Sequence, residues 1–349
     1  MASVNPVQGG SARRSAGRSA ARRRSRSLSA PYDGAAVRVA VVDLGTNSTR
    51  LLVAEVVDRH LSELARRTRV TRLGEGVDRG GRLLPRAMER VFEALADYRP
   101  VIDDLQAEHV VAVATSAVRD AANRDELLAA IERRFGIRGA TIAGDEEARL
   151  TFLGATAERA DRDTETLVFD IGGGSTEYVV GRPGSPPGFQ VSTPLGSVRH
   201  TERHLREDPP PPDQVEELAA ECSRVIREEV PEGVRRAVSA GIAVAGTATS
   251  LAAIDQQLEP YDPARVHGYP LRMPACRRML AMLAALPVRR RRRVTGLHPD
   301  RAPTIVAGAV ILVESMRAFE LDAVEASEAD ILHGAALEAA DEGGGQIGG

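Results

Sequence analysis

Lysine and tryptophan are both absent from this 349-residue chain. The 46 basic residues are all arginine, so no ammonium is available for a Schiff base or for the phosphate-binding lysine of a P-loop. Aromatic residues make up 3% of the sequence and leave no stacking platform for single-stranded nucleic acid, so no nucleic-acid partner is expected. No apolar run approaches the ~18 residues of a membrane span, and no membrane partner is expected either. The two cysteines, Cys222 and Cys276, lie far apart in no redox or metal-binding spacing. They read as buried thiols in a reducing, cytoplasmic compartment. No His-Asp doublet and no metal-spaced histidine cluster stands out.

What remains is a globular composition, 43% hydrophobic and 27% charged, of a length that fits two lobes. Residues 1–32 differ, with seven arginines, no acid, and many serines, glycines and alanines. This stretch lacks the apolar segment of a secretory signal. Residues 1–36 therefore read as a disordered tail, dispensable for stability and turnover, and 341–349 as a flexible Gly-rich tail. Beyond residue 32 the chain carries 39 arginines against 49 acids, a formal charge of −10. Such a core binds a polyanion only where arginines are concentrated. Arg289-Arg-Arg-Arg-Arg293 is the densest run, either a solvated helix end or a track for a long polyanion.

Short apolar runs alternate with turn residues along the chain. Residues 37–43 read as a buried strand, 44–49 as a turn, 51–56 as a second strand and 63–70 as a third. Helices are predicted over 85–106 with a break at Pro100, from a capped start at Asn123, and from Gly144. Strands are predicted at 109–114 and near Ala140. The second half restarts with a strand at 166–169, a turn at 171–176 and a strand at 177–180. A proline connector at 209–212 then precedes a polar helix through Glu229, a strand at 242–245, a turn at 246–250 and a helix beyond. An apolar helix over 302–319, a strand over 321–326 and a helix over 331–340 complete the pattern. It implies an α/β fold with mixed sheets, in lobes spanning 37–160 and 161–340.

An internal repeat carries the chemistry. Asp43-Leu-Gly-Thr-Asn-Ser-Thr-Arg-Leu-Leu-Val53 aligns without a gap on Asp170-Ile-Gly-Gly-Gly-Ser-Thr-Glu-Tyr-Val-Val180. Each segment is a strand, an acid, a glycine-hydroxyl turn and a second strand, and duplicated lobes place two such hairpins face to face. Glycines let backbone N–H groups approach an anion, and hydroxyls add donors. Phosphate is accordingly expected at Gly45, Thr46, Asn47 and Ser48, at Gly172, Gly173, Gly174, Ser175 and Thr176, and at a third turn with Gly246 and Thr247. An aspartate at the strand end would repel phosphate directly. It implies an intervening cation, Mg²⁺ or another divalent ion.

These three motifs resemble those of the actin, sugar-kinase and heat-shock ATPase superfamily. More narrowly, the chain resembles the exopolyphosphatase/guanosine pentaphosphate phosphatase (Ppx/GppA) family, in its short two-domain form. The stretches Arg72-Leu-Gly-Glu-Gly76, Ala114-Thr-Ser-Ala-Val-Arg-Asp120, Gly144-Asp-Glu-Glu-Ala-Arg-Leu150 and Pro194-Leu-Gly-Ser-Val-Arg199 carry the resemblance. It implies two actin-like (ribonuclease H-like) lobes flanking a phosphate-binding cleft. It also implies inorganic polyphosphate or guanosine pentaphosphate (pppGpp) as substrate, and it allows a homodimer. By the same resemblance Glu147 is the base that orients water, Arg119 with the backbone of Thr115, Ser116 and Ala117 holds the terminal phosphate, and Asp43, Asp170 and Glu177 surround the metal. Adjacent carboxylates are expected to raise the pKa of Glu147. Thr49 stands where the family commonly has a bulkier residue, and the helical domain of longer members is not expected after residue 338. His267 reads as a surface-loop residue. Two alternatives remain open: a small-molecule kinase of the same superfamily, and a non-catalytic sensor of polyphosphate or guanosine tetraphosphate.

Overall fold

The computed structural model describes residues 36–159 and 163–341; both predicted tails lie essentially outside them. The first half comprises β1 (Val37–Leu44), β2 (Ser48–Val57), β3 (His60–Val70), α1 (Val77–Gly80), α2 (Pro85–Asp104), β4 (His109–Ala114), α3 (Ser116–Arg119), α4 (Arg124–Phe135), β5 (Arg138–Thr141) and α5 (Gly144–Thr156). The second half begins with β6 (Thr166–Ile171), β7 (Thr176–Gly181), β8 (Phe189–Thr193), α6 (Ser197–His204), α7 (Pro212–Glu229), α8 (Glu232–Ala237) and β9 (Ala240–Val244). It continues with α9 (Ala245–Asp255), α10 (Pro263–Val266), β10 (Pro270–Arg272), α11 (Met273–Ala284), α12 (Val288–Arg291), α13 (Ile305–Ala318), β11 (Ala323–Ala326) and α14 (Ile331–Asp341). No described helix is long and apolar enough to cross a membrane.

The sequence repeat is a topological one. The first sheet has the order β3-β2-β1-β4-β5, the second β10-β11-β9-β6-β7-β8. In each, three antiparallel strands (β1–β3, β6–β8) join parallel neighbours, β4 beside β1 and β9 beside β6. These are the two mixed sheets of an actin-like fold. β1 is apolar on both faces because both are covered. Ala40 and Val42 face the cluster under α2 and α4, while Val39 and Val41 face one built with α14.

That second cluster redraws the lobe boundary. The range 161–340 includes α14, yet Ile331, Leu332, Ala335, Ala336 and Ala339 cover the first sheet. α5 lies between the lobes. Leu150 joins the first-sheet cluster, whereas Ala148, Phe152 and Ala155, spaced by four and three, join the second-sheet cluster. α5 and α14 cross where glycines allow backbone contact. A Cβ at Gly154 would lie 2.0 Å from the Asp330 carbonyl oxygen, and one at Gly334 1.9 Å from that of Leu150.

Several local expectations change. α2 runs through Pro100 without breaking. Tyr98 and Ile102 on either side are buried, and the Tyr98 hydroxyl donates to the Thr49 carbonyl at 2.8 Å, so packing holds the last turn despite the lost amide. Asn123 precedes α4 but caps nothing; its amide bridges the Leu83 N–H and C=O. The predicted turn 246–250 is already the first part of α9. In the arginine run, Arg291 turns inward, donating to the Leu286 and Ala302 carbonyls and pairing with Asp208 at 2.8 Å. Arg289, Arg290, Arg292 and Arg293 remain exposed. Cys222 and Cys276 are buried and unpaired.

Candidate active site

Strand register builds the centre. Residues opposite one another in an antiparallel pair project to the same face. Asp43 lies opposite Arg50, and Asp170 opposite Glu177. The first pair is complementary, and the Arg50 guanidinium bonds Asp43 Oδ2 at 2.8 Å and also reaches Asp330. In the second, two carboxylates share one buried face. Burial is the largest cause lifting Glu177 to about 7, Asp170 next, with hydrogen bonds from Ser192 and Ser175 opposing. Burial likewise lifts Asp170 to about 8; Arg50 opposes it, while Asp330, Glu147 and Asp43 add to it.

The glycine turns close alike, with the Gly45 amide donating to the Ser48 carbonyl at 3.1 Å and Gly172 to Ser175 at 3.0 Å. They touch across the cleft. A Cβ on Gly173 would come within 2.9 Å of Thr46 Cβ, and one on Gly174 within 2.3 Å of Ser116 Oγ, so only glycine permits this approach. Thr46 Oγ1 and Ser116 Oγ hydrogen-bond at 3.0 Å along the same seam. Between the turns lies a cavity of ≈ 70 Å³, room for several waters on the same measure. The amides of Thr46, Asn47 and Gly173 donate to no described backbone carbonyl, and the α9 N-terminus adds Gly246 and Thr247 to the wall.

Glu147 reaches the same cavity from the first turn of α5. Its carboxyl is held well above the ordinary range by burial first and by Glu177 second, against the opposing Arg119. Adjacent carboxylates were the expected cause; the desolvation of a side chain sandwiched between lobes outweighs them. Arg119 Nη1 donates to Glu147 Oε2 and to the Ile142 carbonyl, each at 3.0 Å, and lies behind the base rather than on the cavity wall. Thr115 and Ser116 line the cavity, but Ala117 is turned under Gly74. The Thr176 hydroxyl also points away from the cavity: Thr176 opens β7, paired with Ile171 and Thr193, and donates to the Leu195 carbonyl.

The donor set fits a hard cation held partly through water. Asp43 Oδ1 is buried without a hydrogen-bond partner, beside carboxyls that raise one another's pKa. Asp43, Asp170 and Glu177 do not, however, bring one oxygen each within 4.8 Å of one another. Asp43 and Asp170 line the cavity and Glu177 does not, which favours a cation held through water over direct ligation by all three.

Three residues escaped the sequence reading: Arg50, Asp330 and Arg301. Arg50 was visible inside the first motif, as a charge just before the apolar run at 51–54. Arg301 lies far along the chain in a Pro-Asp-Arg turn with no local signature. It is half-buried on the cavity wall, makes no ion pair among the described residues, and has its pKa lowered by burial and by Arg50. An arginine so placed is a seat for an anion. It also borders an adjoining groove of ≈ 690 Å³, which Arg50, Arg66, Arg69 and Tyr261 help to line.

The fold and site have counterparts. The family model described as "Ppx/GppA phosphatase family" matches residues 52–342. Exopolyphosphatase 2 of Mycobacterium tuberculosis is 37% identical over 328 residues, covering 88% of this chain and 99% of that protein. The crystal structure of the Aquifex aeolicus Ppx/GppA family member superposes with a TM-score of 0.75 at 31% identity, covering 89% of this chain and all of that one. An exopolyphosphatase from Cytophaga hutchinsonii gives a TM-score of 0.81 at 26% identity, with 89% and 100% covered.

Proposed function

Because the chain belongs to the Ppx/GppA phosphatase family, we propose that it hydrolyses the terminal phosphate from inorganic polyphosphate or pppGpp, with Glu147 as the base. The observation that carries this reading is the buried Glu147 carboxyl, aimed from a helix start into a cavity walled by both glycine turns. The terminal phosphoryl group lies between the turns, where free amides and the hydroxyls of Thr46 and Ser116 neutralise its oxygens. A water beside it donates a hydrogen bond to Glu147 and transfers that proton as its oxygen bonds phosphorus. The anhydride bond on the opposite side breaks, and the shortened chain leaves with the electron pair. Arg50 and Arg301, at the mouth of the arginine-lined groove, face the charge on that leaving oxygen.

Asp43 and Asp170 would hold Mg²⁺ through water, with Glu177 behind them. When bound, the ion supplies positive charge against the reacting phosphoryl oxygens. Arg119 positions Glu147 and holds part of its proton affinity in check. The test is digestion of polyphosphates of defined length, with pppGpp alongside, in Mg²⁺. Release of orthophosphate one unit at a time is expected. If neither substrate is shortened while ATP is consumed with a sugar or acid acceptor, the kinase alternative takes its place.

A further inference from the structure

We propose that α6 and α7 carry a second, nitrogen-containing metal site, taking one Zn²⁺-class ion on His200, His204 and Glu221, independent of the cleft's chemistry. His200-Thr-Glu-Arg-His204 has the H-x3-H spacing of a helical zinc pair, which the sequence reading passed over because the third ligand lies on the next helix. At i and i+4 the two imidazoles share one face of α6, their rings stacked with centroids 5.7 Å apart. Glu221 projects toward them from α7. Its Oε2 accepts from His204 Nε2, and its Oε1 lies 3.7 Å from His200 Nε2. Among the described residues these are the only three His, Cys, Asp or Glu side chains whose ligand atoms all lie within 4.8 Å of one another.

An independent observation points to a ligand here. The His200 side chain is 1% exposed, and its Nε2 has no hydrogen-bond partner. Nδ1 meets the backbone of Gly196, at 3.1 Å from the carbonyl oxygen and 3.3 Å from the nitrogen. Nδ1 serves one of these contacts at a time, and in the tautomer with Nδ1–H donating to the carbonyl, Nε2 presents a lone pair toward Glu221 Oε1. In that tautomer a cation between the buried imidazole nitrogen and the partly exposed carboxylate satisfies both acceptors. An imidazole fixed by a carbonyl on its other nitrogen is the usual arrangement of a histidine bound to metal. Two imidazoles and one carboxylate suit Zn²⁺ with water in the fourth position, whereas Mg²⁺ prefers all-oxygen surroundings.

The site matters because α6 grips the second phosphate turn. The amides of Ser197 and Val198 donate to the Gly172 and Gly173 carbonyls at 2.9 and 2.8 Å, and Arg199 Nε donates to Gly174 at 2.8 Å. An ion clamping α6 to α7 therefore stiffens that turn from behind.

The test uses the full chain, freed of metal by chelation and kept in millimolar Mg²⁺. Calorimetric titration with Zn²⁺ should give one ion per chain at micromolar affinity or tighter, with a raised melting temperature. Co²⁺ in its place should show the visible bands of a four-coordinate site. His204→Gln and Glu221→Gln, both on partly exposed side chains, should each weaken Zn²⁺ binding at least ~10-fold. X-ray absorption on the Zn²⁺-loaded wild-type protein should show two imidazoles, a readout that stands even if a variant folds poorly. An ion with no imidazole shell, binding unchanged in both variants, or no binding would each overturn the site.

Discussion

Gly246→Ala should cost activity without costing stability. A Cβ at this position would fall 1.5 Å from Arg301 Nη1 and 2.0 Å from its Cζ, so the guanidinium must leave the cavity wall. Gly246 lies in α9 and has no left-handed backbone requirement, and Ala is the better helix residue by up to ~1 kcal/mol. Arg301 makes no ion pair among the described residues, and burial and Arg50 disfavour its charge more than Tyr261 and Glu328 favour it, so its displacement costs the fold little. What is lost is a charge-assisted contact to phosphate, about 1.5–3 kcal/mol, or roughly 10- to 150-fold in kcat/KM. Phosphate release from short polyphosphate measures this, with thermal melts alongside. Arg301→Gln should cost a similar factor, and the double variant no more than the larger single loss, since both remove one interaction. A Gly246→Ala enzyme within about twofold of wild type, or losses that multiply in the double variant, would refute Arg301 as an anion ligand.

Glu147→Gln should fold normally and lower turnover by roughly 10²- to 10⁴-fold, the usual worth of a positioned base; near wild-type turnover would remove it from the mechanism. The raised carboxyls predict a pH effect on stability in the absence of divalent cations. Unfolded, Asp170 and Glu177 ionise near 4, while folded they keep protons until about 8 and about 7. Their contribution is therefore full below pH 4 and lost as pH rises through 7 to 8, so the melting temperature should fall over that window and recover with Mg²⁺. A flat profile in chelator would mean that the acids are not coupled in this way. Replacing Arg289, Arg290 and Arg292 by Gln, with buried Arg291 left in place, should raise KM for long polyphosphate, spare short chains and flatten the salt dependence. Equal effects on both lengths would return the run to a solvated surface.

The acid-glycine repeat was legible because backbone and chemistry coincide there: a turn that must approach phosphate needs glycine, and the alignment of two such turns exposed both halves of the cleft. Glu147 came from resemblance, since a helix-start glutamate is otherwise ordinary. Contacts that depend on remote chain were not legible. Arg301 reaches the site only because α9 offers a glycine beneath it, and His200 meets Glu221 only through the packing of α6 on α7. Thr176 looked like its neighbours in the motif, but strand pairing directs its hydroxyl to Leu195. Pro100 and Arg291 show local propensity overruled by tertiary packing, and α14 shows that chain order need not follow lobe membership.

The crossing of α5 and α14 has a consequence for biosynthesis. A ribosome delivers β1 to β5 early, but the helix that covers Val39, Val41 and Leu52 follows every other described element. Until then one apolar face of the first sheet is covered only in part, by Leu150 of α5, and the nascent lobe cannot close its core. A released chain truncated before Ile331 would therefore carry every described element of the second sheet and an unfinished first lobe. Proteolysis should cut β1 and β2 in a chain truncated before Ile331 and spare them in the full chain.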